Sequence, residues 1–181
     1  DLAALIDELK LKEAVLVAYA MNGAPLAPQH GAPLRLIVPR WYGMASVKWL
    51  RAIEATDRPF EGFQQARGYH FRREAGEEGE PCTRMRVNSL MAPPGIPDFY
   101  SRRRTPGEGE VVLRARAWSG AAPVARVELG IDGHWSEATL EPSPHADAWI
   151  AWRASWRALR GEHELSCRAT DASGNTQPLE P

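Results

Sequence analysis

The stretch VARVELGID at residues 124–132 alternates apolar and polar side chains with a period of two. Val127 and Leu129 fall on one face, whereas Arg126 and Glu128 fall on the other. Because successive side chains of a strand point to opposite faces, this pattern is typical of a strand with one buried face. The stretch therefore predicts a sheet that has one side in a hydrophobic core.

The same alternation recurs on both sides of this stretch. Asp132-Gly133 and Ser173-Gly174-Asn175 supply turn signals between the alternating segments. Short strands separated by turns favour a β-sandwich, so the expected fold class is mainly β, with an immunoglobulin-like sandwich over residues 76–181. Further strands are expected at residues 83–91, 110–118, 149–156 and 163–170, and the expected core residues are Ile150, Trp152, Leu165 and Cys167.

One segment of this half lacks the alternation. Residues 93–110 contain Pro-Pro-Gly, three consecutive arginines at 102–104 and Gly-Glu-Gly-Glu. Proline and glycine interrupt regular structure, so this segment is predicted to be a long surface loop.

The first part of the chain has a mixed pattern. Leu2, Leu5, Ile6 and Leu9 have the spacing of a short amphipathic helix, and residues 14–19 and 34–38 are strand candidates. Residues 74–81 are acidic and glycine-rich, which indicates a linker or exposed loop. We therefore expect a partial α+β domain at residues 1–75, followed by the sandwich at 76–181.

Composition excludes some classes of partner. The net charge is −1 and no apolar run reaches the length of a membrane span, so neither a nucleic-acid partner nor a transmembrane segment is expected. The chain starts at Asp1 without a signal pattern, which suggests a piece of a longer protein and leaves the compartment open. Cys82 and Cys167 are expected to be half-buried thiols, with a disulfide between them as the alternative.

A set of donor side chains occupies 19 residues of the first part: His30, Arg35, Ser46 and Lys48. Cations and hydroxyls beside the glycine-containing loop at Gly43 are what a phosphate or a pyranopterin ligand requires. The alternative is a solvated basic edge without a ligand.

Longer motifs surround these four residues. Met21-Asn22-Gly23 is followed by His30-Gly-Ala-Pro-Leu-Arg35, then by Pro39, and then by Ser46-Val-Lys-Trp-Leu50. In this order the motifs resemble the sulfite oxidase family of molybdopterin-dependent oxidoreductases. The stretch from Ala117 to Gly120, the Asp132-Gly133 turn and the segment 169–178 are similar to the immunoglobulin-like dimerisation domain of that family.

The resemblance implies a role for each matched position. His30 and Arg35 match contacts to molybdopterin and its phosphate, and Ser46 and Lys48 match the loop that holds the polar edge of the cofactor. Tyr69 matches the catalytic tyrosine of the family, and its alternative is an ordinary half-buried aromatic side chain. The implied protein uses a molybdenum cofactor, acts on a small oxyanion or other small molecule, passes electrons to an unknown acceptor and forms a homodimer through the sandwich.

The sequence departs from the family pattern at three places. Gly68 replaces a common aspartate before the tyrosine, and residues 121–123 lack the arginine that binds the substrate anion, which does not favour sulfite as substrate. The molybdenum-ligating cysteine of the family lies upstream of His30, so Cys82 is not assigned as a metal ligand, and no metal-ligating residue is assigned. The chain alone is thus expected to be inactive, with its last strand truncated. A non-enzymatic immunoglobulin-like interaction module with a remnant of the cofactor domain is the alternative function.

Overall fold

The computed structural model describes residues 14–98, 100–101, 103–143, 145 and 147–179. The amphipathic helix expected at residues 2–9 lies outside these residues. The chain divides into two compact units, Asp1–Met85 and Arg86–Pro181. Within the described residues, no helix is both long enough and apolar enough to cross a membrane.

The first unit contains short strands and helical turns. Its strands are β1 (Leu16–Ala18), β2 (Ala20–Met21), β3 (Ala24–Pro25), β4 (Arg35–Ile37), β5 (His70–Phe71) and β6 (Glu80–Pro81). Its helical segments are two 3₁₀ turns at Pro28–His30 and Gly43–Ala45 and a π-helical turn at Gln64–Gly68. The antiparallel pairs are β1 with β4, β2 with β3, and β5 with β6.

Most of the acidic segment lies in the exposed loop of the β5–β6 hairpin, and its last two residues form β6. His70 pairs with Pro81 and Phe71 pairs with Glu80, so the chain returns onto the first unit after this loop. Tyr42 N–H then donates to Thr83 O at 3.0 Å, and Met85 N–H donates to Arg40 O at 2.8 Å. These hydrogen bonds hold residues 80–85 within the first unit, which ends at Met85. The expected domain boundary between residues 75 and 76, placed at the acidic and glycine-rich composition of residues 74–81, stays a prediction.

The second unit is a sandwich of two antiparallel sheets. Its strands are β7 (Asn88–Met91), β8 (Ile96–Pro97), β9 (Arg104–Thr105), β10 (Gly109–Trp118), β11 (Val124–Ile131), β12 (His134–Glu137), β13 (Thr139–Leu140), β14 (Ile150–Ala158) and β15 (Leu165–Asp171). One sheet has the order β13-β14-β10-β7, and the other has the order β12-β11-β15. The mainly β fold class is confirmed, and the strand orders are consistent with the ABED and C′CF sheets of immunoglobulin-like domains.

The core lies between these two sheets. Val127 and Leu129 on β11 are fully buried, as the period-two pattern predicts, and Trp152 on β14 is 1% exposed. Ile150 and Cys167 are partly buried and pack against this core, whereas Leu165 is half-buried. Cys82 and Cys167 are half-buried thiols, as expected, and no disulfide joins them. Ala117, Ala138 and Ala169 complete the buried cluster with Val87.

The prediction of a long loop at residues 93–110 is wrong in two respects. Ile96 pairs with Thr105 and Pro97 pairs with Arg104, so a short hairpin forms within this segment. Asp98 N–H also donates to Arg103 O at 2.9 Å. The strand that follows begins at Gly109 rather than at residue 110. A two-residue strand is defined by the backbone with which it pairs, and an alternating pattern cannot be detected over so short a length.

A polar cluster links the two sheets. The buried Trp152 indole donates to Ser89 Oγ at 2.8 Å. Gln177 Oε1 accepts from Ser89 N–H at 2.7 Å and from Ala169 N–H at 3.2 Å, and Gln177 Nε2 donates to Ser89 O at 3.3 Å. Ser89 belongs to one sheet and Ala169 to the other, so the single amide of Gln177 connects both sheets.

We expect Ser89→Ala to destabilise the second unit, because it leaves the buried Trp152 N–H without its acceptor. Such an unpaired group costs about 1–3 kcal/mol. In the Trp152→Phe background the same change should cost less, because the donor is already absent. A double-mutant cycle by urea unfolding measures this coupling, and equal costs in both backgrounds would contradict the hydrogen bond's role.

The β11–β12 turn carries a second polar pair. Asp132 and Gly133 both have positive φ, at 49° and 81°, as a two-residue hairpin turn requires. Asp132 Oδ2 lies 2.7 Å from His163 Nδ1, and Asp132 Oδ1 accepts from Glu164 N–H at 2.8 Å. The hydrogen bond between the two side chains raises the pKa of His163 and lowers the pKa of Asp132.

The sign of each shift gives the pH range in which the pair stabilises the fold. The raised pKa of His163 means that its contribution is full below the usual imidazole value of about 6.5 and is lost as pH rises through the folded-state value. The lowered pKa of Asp132 means that its contribution is lost only as pH falls through a folded-state value below the usual one. The pair is therefore strongest in weakly acidic solution.

In a proton NMR titration of the His163 ring, we expect Asp132→Asn to lower the pKa of His163, because the charged acceptor is lost. Glu162→Gln provides the control, since this nearby carboxylate pairs with Arg103 instead. An unchanged His163 pKa in Asp132→Asn would contradict the assignment.

Candidate cofactor-binding site

The 3₁₀ turn at Pro28–His30 brings the backbone close to Lys48. Gly31 ends the turn with φ at 106°, and its N–H donates to Pro28 O at 3.0 Å. A Cβ added at Gly31 would lie 3.0 Å from Lys48 Cβ and 3.1 Å from Lys48 Cα. Glycine is therefore required here both for its positive φ and for the close approach of Lys48.

Three hydrogen bonds hold Lys48 and Trp49 on this turn. Lys48 Nζ donates to Gln29 O at 2.7 Å, Trp49 Nε1 donates to Pro28 O at 3.0 Å, and Trp49 N–H donates to Gly31 O at 3.3 Å. An ammonium group has three donors, so Lys48 keeps two for a ligand while it is positioned by the first. The side chain of Lys48 is exposed.

The strand β4 lies between β1 and the segment that carries Ser46 and Lys48. On one side its residues pair with β1, with Arg35 opposite Ala18. On the other side, Leu36 N–H donates to Val47 O at 2.8 Å, and Val38 N–H donates to Ser46 Oγ at 3.2 Å. The Ser46 hydroxyl thus acts as an acceptor, and its hydrogen remains available to a ligand within the described part of the chain.

Arg35 is half-buried and only weakly satisfied. Its Nη1 donates to His30 O at 3.5 Å, which is a long hydrogen bond. Its Nε is buried and has no hydrogen-bond partner among the described residues. An unpaired buried donor on a charged group is costly, so this guanidinium is suited to an anionic acceptor. The side chain of His30 is also half-buried.

Tyr69 is positioned by a different part of the first unit. It follows the π-helical turn, where its N–H donates to Gln64 O at 2.7 Å and its carbonyl accepts from Cys82 N–H at 2.8 Å. Its side chain is 40% exposed. The hydrogen bonds therefore connect His30, Arg35, Ser46 and Lys48 through one local framework, whereas Tyr69 is tied to the turn and hairpin at residues 64–82.

The sequence does not reveal two features of this region. His70, the residue after Tyr69, has a buried Nδ1 without a hydrogen-bond partner among the described residues. The backbone carbonyl of Gln29 positions Lys48, and this contact does not involve the Gln29 side chain. Both features depend on tertiary burial or on the backbone, and residue type signals neither of them.

Comparison with known proteins points to one class of enzyme. Residues 3–64 match the family described as "Oxidoreductase molybdopterin binding domain", a range that contains His30, Arg35, Ser46 and Lys48 but not Tyr69. The chain is 32% identical to mitochondrial sulfite oxidase of Rattus norvegicus over 181 residues, which cover 91% of this chain and 32% of the rat protein. It is 31% identical to nitrate reductase [NADH] 2 of Phaseolus vulgaris over 192 residues, which cover 91% of this chain and 21% of the bean protein.

A solved structure shows the same relationship. The crystal structure of the sulfane dehydrogenase SoxCD from Paracoccus pantotrophus matches with a TM-score of 0.79 and 28% identity, over 91% of this chain and 42% of that one. The chain is thus related to molybdopterin oxidoreductases, and these relationships support a molybdenum cofactor. They favour the enzymatic interpretation over a non-enzymatic module. The chain spans less than half the length of each of these relatives.

We expect Gly31→Ala to destabilise the first unit by more than about 1 kcal/mol, because both the positive φ and the contact with Lys48 oppose a side chain. Gly23→Ala is the matched control: Gly23 also has positive φ, at 78°, but nothing lies within 4 Å of an added Cβ. Urea unfolding of both variants separates the two effects. Equal destabilisation would show that the approach of Lys48 contributes nothing.

Proposed function

We propose that residues 28–50 form one wall of the cofactor pocket in a molybdopterin oxidoreductase of the sulfite oxidase type. The observation that carries the proposal is the buried, unpaired Nε of Arg35. It lies on a strand whose neighbouring segment holds Ser46 and Lys48, within the residues that match the molybdopterin-binding family. An anionic ligand would satisfy this donor and offset its burial.

Each side chain has a distinct task in this proposal. Arg35 donates hydrogen bonds to cofactor phosphate oxygens, and the half-buried ring of His30 contacts the pterin beside it. Lys48 supplies positive charge from the Pro28–Gly31 turn, and the Ser46 hydroxyl donates its free hydrogen. The donors are positioned by the backbone before a ligand arrives, which reduces the ordering cost of binding.

The bound cofactor would supply oxygen-atom and two-electron transfer at molybdenum. The chain's own contribution to that reaction is Tyr69, which we propose as a catalytic residue. Its phenol makes no hydrogen bond within the described residues and is accessible, so it can donate to a substrate oxygen. Tyr69 directly follows a π-helical turn, and such turns occur frequently at functional sites.

The substrate is proposed as a small oxyanion or another small molecule. Residues 121–123 supply no fixed cation, so sulfite is not favoured over other substrates. We also propose that the sandwich of the second unit, Arg86–Pro181, is the dimerisation domain and pairs two chains. Its two-sheet architecture and strand order support this proposal.

In the protein purified with its cofactor, we expect Arg35→Ala and Lys48→Ala each to weaken retention of molybdopterin. A charge-assisted hydrogen bond is worth about 1.5–3 kcal/mol, which corresponds to roughly one to two decades of affinity. Arg35→Ala should not lower the free energy of unfolding of the empty protein, because it removes an unsatisfied buried donor. Metal analysis and fluorescence of the oxidised pterin measure retention.

Two further variants test the assignment of roles. Arg51→Ala removes an exposed arginine from the same region and should leave retention unchanged. Tyr69→Phe keeps the ring, so cofactor content should hold while turnover falls. Loss of cofactor in Tyr69→Phe, or full retention in Lys48→Ala, would contradict the proposed division of tasks.

A further inference from the structure

The outer face of the four-stranded sheet carries a group of arginines. Arg114 and Arg116 on β10 and Arg153 and Arg157 on β14 are all exposed. They alternate with residues that face the core, such as Leu113 and Trp152, which places all four on the same face. We call this surface the arginine face.

The strand register places like charges together. Arg114 lies directly opposite Arg153. Like charges at directly opposite positions destabilise a sheet unless an opposite charge neutralises them. Among the described residues, the acidic side chains assigned to this face are Glu110, opposite Arg157, and Glu141, whose N–H donates to Ala151 O. Within the described part of the chain, four arginines therefore share this face with two glutamates, and none of the four arginines forms an ion pair.

The other sheet neutralises its outer charges internally. Arg168 lies 3.1 Å from Glu128, Arg126 lies 3.6 Å from the same carboxylate, and Arg168 covers the ring of Trp135 at 4.5 Å. The whole chain has a net charge of −1. The positive surplus is thus a property of the arginine face and not of the protein's general composition.

Apolar side chains complete the arginine face. Trp118 and Trp149 stack at its end with ring centroids 4.2 Å apart and an interplanar angle of 19°. Leu90, opposite Arg116, is 68% exposed, and Val112 is 52% exposed. Tryptophan and arginine dominate the binding energy of many protein interfaces, and large exposed apolar groups beside them are typical of docking surfaces.

We propose that the arginine face docks an acidic partner protein. Carboxylates of the partner would pair with the four guanidinium groups, and apolar side chains would cover Leu90 and the Trp118–Trp149 pair. A second copy of this chain is a poor match, because a two-fold contact of this face with itself would oppose the same positive surplus. The proposal is independent of the cofactor and of the proposed reaction.

The test uses the full chain and a random copolymer of glutamate and tyrosine as the probe, with binding measured by calorimetry at low and high salt. We expect binding that weakens with salt, and a loss of roughly tenfold or more in Arg114→Gln/Arg153→Gln. Arg51→Gln/Arg58→Gln removes the same charge elsewhere and should bind normally. Trp149→Ala should also weaken binding, whereas Phe60→Ala, at another exposed aromatic residue, should not.

Three results would overturn the proposal. An equal loss of affinity in Arg51→Gln/Arg58→Gln would show that the effect depends only on net charge. Heparin binding as tightly as the copolymer, with Trp149→Ala without effect, would make the surface a general polyanion site. Dimer formation in sedimentation that Arg114→Gln/Arg153→Gln abolishes would identify a second copy as the occupant. If that variant fails to fold, Arg116→Gln/Arg157→Gln tests the same face.

Discussion

The hydrogen bond between the Trp152 indole and Ser89 is the contact on which the sandwich depends most. A large indole fills the space between the two sheets, but its N–H must find an acceptor there. Ser89 supplies it, and the Ser89 backbone is in turn fixed by the Gln177 amide. Gln177 also binds Ala169 on the opposite sheet. The position of the edge strand β7 thus follows from the need of the buried Trp152 N–H for an acceptor.

The first unit is organised by different forces. Leu26 is the one buried hydrophobic side chain among its described residues. The segments around the cofactor-binding candidates are instead connected by backbone and side-chain hydrogen bonds, from Lys48 to Gln29 and from Leu36 to Val47. Hydrogen bonds give direction but little net stability. A ligand that joins Arg35, Ser46 and Lys48 would therefore contribute to the order of this unit as well as occupy it.

The parts of the fold that were predictable are those in which one pattern repeats over many residues. The strands β10, β11, β14 and β15 each bury one face, so alternation located them and identified Trp152 as a core residue. The strands β8 and β9 escaped because two residues cannot show a period. Arg114 lies in a strand that the sequence predicts, but its position opposite Arg153 depends on strand pairing. The unpaired Nε of Arg35 depends on burial, which residue type does not reveal.

The Trp118–Trp149 stack has an optical consequence. Two indoles separated by 4.2 Å at an angle of 19° have coupled electronic transitions, because each transition dipole lies in the near field of the other. The pair should therefore contribute an exciton couplet to the circular dichroism spectrum, with a sign and size set by the relative orientation of the two transition dipoles. The other tryptophans that pack alone cannot produce this band. Circular dichroism of the stack can therefore report the local geometry at one end of the sheet in solution, without an added label.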